Sequence, residues 1–294
     1  MMKRAIREKL RPAARRQAQT GLMLAAPVFL GSGIFFLLPF CLMLRYSLTF
    51  GIGGFRFVGL RNYREVLESP AFQLAAVNTV RFLAVGLPLI MALGLLLALL
   101  LRQKLPGAGL LRRVLLLPMV LPVASIVMLV QILFAGPGIL NGLLEQWGLF
   151  PRQWLNGPES FWVLVGLYVW KNCGYNVVLF LAGLNMIPEE LYQTAELDGA
   201  GPWAKFRFIT LPLLIPSLFF GFIFGIVNSF KVYREAFLLG GEYPAQSIYL
   251  LQHFSNNNFR NLNYQRLSVA AILLFSVIFL LVGLLLWAQR KTET

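Results

Sequence analysis

Six stretches of this chain, near 22–44, 75–101, 114–134, 161–183, 211–230 and 268–288, stay apolar over about 20 residues or more, the length a helix needs to cross roughly 30 Å of hydrocarbon. Within a bilayer the backbone must satisfy its own hydrogen bonds, so the pattern predicts an all-α membrane protein with six transmembrane helices. Composition agrees, because 58% of residues are hydrophobic and only 13% charged, against about a quarter charged in soluble domains. Pro27, Pro39, Pro88, Pro118, Pro122, Pro212 and Pro216 fall in or beside these stretches and are expected to start or kink helices. The first stretch is longer than a secretory h-region and has no small-residue cleavage site after it, so it is read as a retained helix.

A net charge of +14 invites a nucleic-acid reading until the cations are located. With the N-terminus inside, fifteen Lys and Arg fall on inner segments: Lys3, Arg4, Arg7, Lys9, Arg11, Arg15 and Arg16, then Arg102, Lys104, Arg112 and Arg113, then Lys205 and Arg207, then Arg290 and Lys291. The longer outer segments carry nine. This positive-inside bias predicts a multi-pass protein with both termini cytoplasmic, its basic tail a topology signal on an anionic lipid face and not a nucleic-acid site. The expected organisation is a basic tail over 1–21, a first helix and outer loop over 22–74, a five-helix core over 75–288, and a short cytoplasmic tail over 289–294.

All twelve acidic residues fall outside the six stretches, and the single histidine, His253, lies in the last outer segment. Proton-coupled carriers relay protons through intramembrane Asp, Glu or His, so that class is disfavoured. No glycine directly precedes a lysine, which excludes a P-loop; if ATP drives this protein, another chain binds it. A membrane glycosyltransferase would need gathered acidic residues, whereas Glu65, Glu68, Glu145 and Glu159 are scattered through loops. No catalytic residue is therefore expected. Two cysteines inside spans, Cys41 and Cys173, with one histidine do not make a zinc site, so neither a metal nor a cofactor is expected on this chain.

The inner loop 187–212 reads as two short helices with a break. Pro188 suits a first helical position, Glu189 and Glu190 occupy the first turn where the helix dipole favours negative charge, and Gly199 permits a turn after Asp198. Trp203, Phe206, Phe208 and Ile209 supply apolar anchors on the second arm. In the fourth stretch Lys171 stands within Trp170-Lys-Asn-Cys-Gly-Tyr-Asn176, and a cation there must face a cavity, a partner or carbonyl oxygens. Trp170, Lys171, Asn172, Tyr175 and Asn176, with Gln131 and Asn228, are candidates for a polar pathway; the alternative is that Lys171 bonds carbonyls and the asparagines join helices. Arg81 lies near the outer boundary, and Gly221-Phe-Ile-Phe-Gly225 is a close-packing pattern. The outer segment 231–267 is too long for a simple turn, and is read either as functional or as a solvated connector.

The inner loop resembles the signature of binding-protein-dependent ABC importer permeases, Glu-Ala-Ala, then Gly, then Ile-x-Leu-Pro. Ala195, Asp198, Gly199, Ala200, Phe206, Ile209, Leu211 and Pro212 match it, while Gln193 and Thr194 stand where the family has Glu and Ala. Phe57-Val-Gly-Leu-Arg-Asn-Tyr63, Asn78-Thr79, Gly94-Leu-Leu-Leu-Ala98, Arg112, Pro118, Gly138, Asn141 and Leu181-Ala-Gly-Leu184 resemble, in that order, the carbohydrate-uptake branch, though Tyr233 replaces a common aspartate. The resemblance implies a type I importer bundle in a bacterial inner membrane, with a second permease, two ATP-binding subunits that hold ATP and Mg, an extracellular solute-binding protein and a sugar or oligosaccharide substrate. It also implies that Glu190, Gln193, Thr194, Ala195, Asp198, Gly199, Ala200 and Phe206 form the loop that couples to the ATPase, and that the outer segment helps receive the binding protein. The same machinery for a polyamine, or an ATP-independent channel, are the rival readings.

Overall fold

The computed structural model describes residues 19–51, 56–103 and 107–292; the basic tail from Lys3 to Arg16, Lys104, and the side chains of Arg290 and Lys291 lie outside what is described. Its helices are α1 (Gln19–Leu48), α2 (Arg61–Leu67), α3 (Pro70–Arg102), α4 (Ala108–Val120), α5 (Val123–Phe134), α6 (Ile139–Gln146), α7 (Ser160–Asn185), α8 (Glu189–Leu197), α9 (202–231), α10 (Tyr233–Gly240), α11 (Leu251–Arg260) and α12 (Tyr264–Thr292). Among the described residues six helical segments are long and apolar enough to cross a membrane, as the sequence predicts. Strand structure among the described residues is one antiparallel pair, β1 (Thr49–Phe50) with β2 (Arg56–Phe57).

The chain divides into two units, residues 1–66 with 263–273, and residues 67–262 with 274–294. In the first, the Phe57–Tyr63 motif secures the end of α1. Asn62 is buried and its Nδ2 donates to the Ser47 and Thr49 carbonyls, both at 2.9 Å, while the Tyr63 hydroxyl donates to Ser47 Oγ at 2.9 Å.

In the second unit α3, α7 and α9 form the core, with Phe82, Ile90, Leu164, Tyr168, Phe180, Leu184 and Leu214 almost fully buried. Glycines let these helices approach closely. A Cβ on Gly94 would stand 2.9 Å from Asn176, and one on Gly221 would stand 2.6 Å from the Phe180 ring. Gly225 lies against Leu87, so the Gly221–Gly225 pattern packs within the chain.

Two spans differ from the sequence expectation. The stretch 114–134 is not one helix, because the backbone opens at Leu121 and Pro122 into extended angles between α4 and α5. Ile126 and Val130 of α5 pack on Val163 and Leu167 of α7, while the Leu115 carbonyl of α4 meets Gly174 farther along, so the two pieces line α7 in series. The second arm of the 187–212 loop is likewise not a separate helix. Residues Pro202–Lys205 run through a π-turn, Phe206–Thr210, directly into Leu211–Lys231. Pro212 explains the π-turn: it donates no hydrogen bond and its ring crowds the carbonyl four residues back, so the helix widens and the Leu211 N–H reaches the Phe206 carbonyl. Pro39 follows an identical π-turn, Gly33–Leu37, in α1.

The segment 231–267 is built structure, with α10, a 3-10 turn at Gln246–Ile248, and α11. The Asn78-Thr79 motif of α3 anchors it. Asn78 Nδ2 donates to the Gln246 and Tyr249 carbonyls at 2.5 and 3.0 Å, and Thr79 Oγ1 accepts the Leu251 N–H at 3.0 Å.

Candidate functional site

Two features of the second unit stand out. The first is the hairpin. Helix α8 carries Glu189 and Glu190 in its first turn and ends at Asp198; Gly199 follows with φ +79°, a left-handed angle that favours glycine, and the Ala200 N–H closes the turn on the Ala195 carbonyl at 2.8 Å. Glu190, Gln193, Thr194, Asp198 and Gly199 are exposed, while Ala195, Ala200 and Phe206 are half-buried. Leu197, Trp203 and Phe208 leave large apolar surfaces uncovered at 90%, 73% and 76% exposure. The hairpin is nevertheless tied to the core: Arg102, at the end of α3, donates to the Tyr192 hydroxyl at 2.8 Å and stacks over its ring, and that hydroxyl shares a hydrogen bond with Thr210 Oγ1 at 2.9 Å. Arg102 also pairs with Glu189 at 3.3 Å, and Lys205 with Glu196 at 2.9 Å. Sequence reasoning did not single out Arg102, Tyr192 or Thr210, whose positions 90 and 18 residues apart carry no local pattern.

The second feature is a polar cavity of about 160 Å3 between α4, α7, α9 and α10. Met119, Leu167, Tyr168, Lys171, Asn172, Asn228, Lys231, Val232 and Glu235 line it, so three predicted pathway residues, Lys171, Asn172 and Asn228, converge there. Lys171 forms an ion pair with Glu235, whose side chain is only 4% exposed. This corrects the expectation that every carboxylate lies clear of the spans, and with it the argument against proton coupling that rested on it.

Helix geometry shows how Glu235 arrives. Helices α7 and α9 run antiparallel, since the Tyr168 hydroxyl donates to the Gly225 carbonyl at 2.8 Å while Gly183 faces Leu214 and Ser217. Val232 interrupts the helix in right-handed helical angles without reversing it, and α10 packs on α5, which holds Glu235 beside Lys171.

The remaining candidates face elsewhere. Trp170 lines a separate, mainly apolar groove of about 710 Å3 with Trp154 and Trp162. Gln131 is exposed on α5. Tyr175 meets Phe224 edge-on at 5.2 Å. Asn176 is buried between Gly94 and Gly221, and its Oδ1 has no hydrogen-bond partner. Arg81 sits 4.2 Å over the Phe161 ring. Beyond the spans, His253 of α11 is fully buried; its Nδ1 accepts the Leu250 N–H at 3.1 Å, and burial pushes its pKa down to about 4. Asn141 bonds the Gly136 and Arg152 carbonyls and accepts from Trp154 Nε1 at 2.8 Å, which gives that motif residue an architectural role.

Residues 90–292 match the family described as binding-protein-dependent transport system inner membrane component. The chain is 32% identical over 280 residues to the trehalose/maltose transport system permease protein MalF of Thermococcus litoralis, covering 91% of this chain and 95% of that protein. It is 32% identical over 246 residues to the lactose transport system permease protein LacF of Rhizobium radiobacter, covering 81% and 82%. A chain of a bacterial alginate ABC transporter, crystallised with its alginate pentasaccharide-bound periplasmic protein, superposes with a TM-score of 0.81 over 95% of this chain and 97% of that one. At 21% identity that likeness speaks for the fold alone.

Proposed function

We propose that this chain, which belongs to the binding-protein-dependent transport system inner membrane component family, is a membrane-spanning permease subunit of an ATP-driven carbohydrate importer. The observation that carries the reading is the family match over 90–292, which includes the hairpin and the cavity, together with sugar-transport relatives that align over most of their length. The carried solute is a sugar or oligosaccharide, as the names of those relatives suggest.

In this reading both termini are cytoplasmic and the hairpin faces the cytoplasm. Two ATP-binding subunits, holding ATP and Mg, dock against Glu190, Gln193, Thr194, Ala195, Asp198, Gly199, Ala200 and Phe206. The exposed Leu197, Trp203 and Phe208 supply the apolar contact that a docked subunit would cover. Closure of the ATPases pulls on α8, and the Arg102–Tyr192–Thr210 contacts pass the movement to α3 and α9. A second permease completes the path, and the extracellular binding protein delivers sugar toward Lys171, Asn172 and Asn228. Lipid covers the outward apolar faces.

Co-purification tests it. The chain is expressed with the ATPase, second permease and binding protein encoded beside it, and the complex is assayed for ATP hydrolysis with and without sugar-loaded binding protein. A stable complex stimulated by one loaded sugar is expected. Purification of the chain alone, with the hairpin intact and no ATPase bound, would overturn the reading.

A further inference from the structure

We propose that Glu235 is a specificity-determining residue of the polar cavity: its Oε2 accepts a hydrogen bond from a hydroxyl of a neutral sugar and disfavours acidic sugars. The inference rests on the importer reading above. Glu235 is 3% exposed, its Oε1 is taken by Lys171, and its Oε2 is buried with no hydrogen-bond partner while the residue lines the cavity. A buried carboxylate oxygen without a donor is costly, and a ligand hydroxyl entering the cavity would relieve that cost. Its neighbours complete a mixed set. Asn172 Nδ2 is committed to the Tyr168 carbonyl at 2.9 Å, so its Oδ1 is the group it presents, as an acceptor. Asn228 Oδ1 accepts from Lys231 at 3.2 Å, so its amide hydrogens are the group it presents, as donors. Sugar hydroxyls donate and accept together and suit such an array. Lys171 and Glu235 cancel in charge and the Lys231 ammonium is held on Asn228 at an exposed position, so discrimination lies at Oε2 itself, where a substrate carboxylate would meet like charge in a low-dielectric site.

The test uses the whole importer reconstituted in proteoliposomes with its ATPases, second permease and binding protein. Uptake of radiolabelled maltose, trehalose, lactose and an alginate oligosaccharide is measured at saturating binding protein. The wild type is expected to carry at least one neutral sugar in preference to the alginate oligosaccharide. Glu235→Gln replaces the accepting Oε2 by a donor, and maximal uptake of the preferred sugar should fall at least tenfold in an importer that still assembles. The exchange Lys171→Glu with Glu235→Lys rebuilds the ion pair but places an ammonium at the hydroxyl position, so it should not restore uptake. Restored uptake would reduce Glu235 to a structural tie and overturn the proposal, as would wild-type uptake rates in Glu235→Gln or preference for the acidic oligosaccharide. If the exchange variant does not assemble, Glu235→Gln alone decides. A chain that purifies without ATPase subunits, or a complex whose ATP hydrolysis no sugar-loaded binding protein stimulates, defeats instead the reading on which the proposal rests.

Discussion

Replacing Lys171 by Met should be among the most destabilising single changes outside the glycine contacts. The side chains of the pair are 17% and 4% exposed, so removal of the ammonium strands a carboxylate that water scarcely reaches. Breaking a buried pair from one side typically costs about 3–5 kcal/mol, equivalent to roughly two to four decades in the unfolding equilibrium, because the surviving charge keeps its desolvation penalty. Replacing both members by apolar residues of similar volume, Lys171→Met with Glu235→Leu, should recover most of that loss, since the pair's attraction does little more than offset its desolvation. The assay is SDS-titrated unfolding of the purified permease in mild detergent for the wild type, both single variants and the double variant. A Lys171→Met protein within about 1 kcal/mol of wild type, or a double variant no more stable than the single, would refute the claim that the pair is desolvated.

Three further outcomes follow from the geometry. Gly221→Leu drives a side chain into Phe180, with the first carbon already 2.6 Å from the ring, and should cost about 1–3 kcal/mol by overpacking in the same unfolding assay; an unchanged midpoint would show that α7 and α9 are not in contact there. Gly199→Trp meets open space within the chain but a left-handed backbone, so the protein should insert normally while uptake is lost and ATP hydrolysis persists; normal uptake would sink the docking role of the turn. His253, with its pKa lowered by burial from 6.5 to about 4, binds fewer protons folded than unfolded between those values. Its contribution is therefore full above about pH 6.5 and is lost as pH falls toward 4, by roughly 3 kcal/mol in all, and His253→Gln should flatten a stability–pH curve over that window.

Several weak motif residues proved to be local fasteners. Asn62 and Tyr63 hold the end of α1, Asn78 and Thr79 hold the outer segment, and Asn141 organises the turn after α5. Their spacing in the chain signalled a family resemblance without disclosing these partners, because a side-chain amide looks the same in sequence whether it bonds a ligand or a carbonyl. Asn176 illustrates the point: it was a pathway candidate by composition, and it lies wedged between two glycines.

Hydrophobic run length, the asymmetry of basic residues and the Pro and Gly punctuation of the 187–212 loop are local properties, and from them the sequence alone determined six crossings and a hairpin that breaks at Gly199. The ion pair between Lys171 and Glu235 joins residues 64 apart, and only the tertiary structure decided it. Lys231 and Arg234 made the fifth span look finished at residue 230, yet Val232 keeps helical angles, φ −63° and ψ −16°, and the helical segment runs on to Gly240 with no glycine or proline to mark the junction. The packing of α10 against α5 holds the Glu235 carboxylate beside Lys171, a lysine near the middle of α7 that needed a partner.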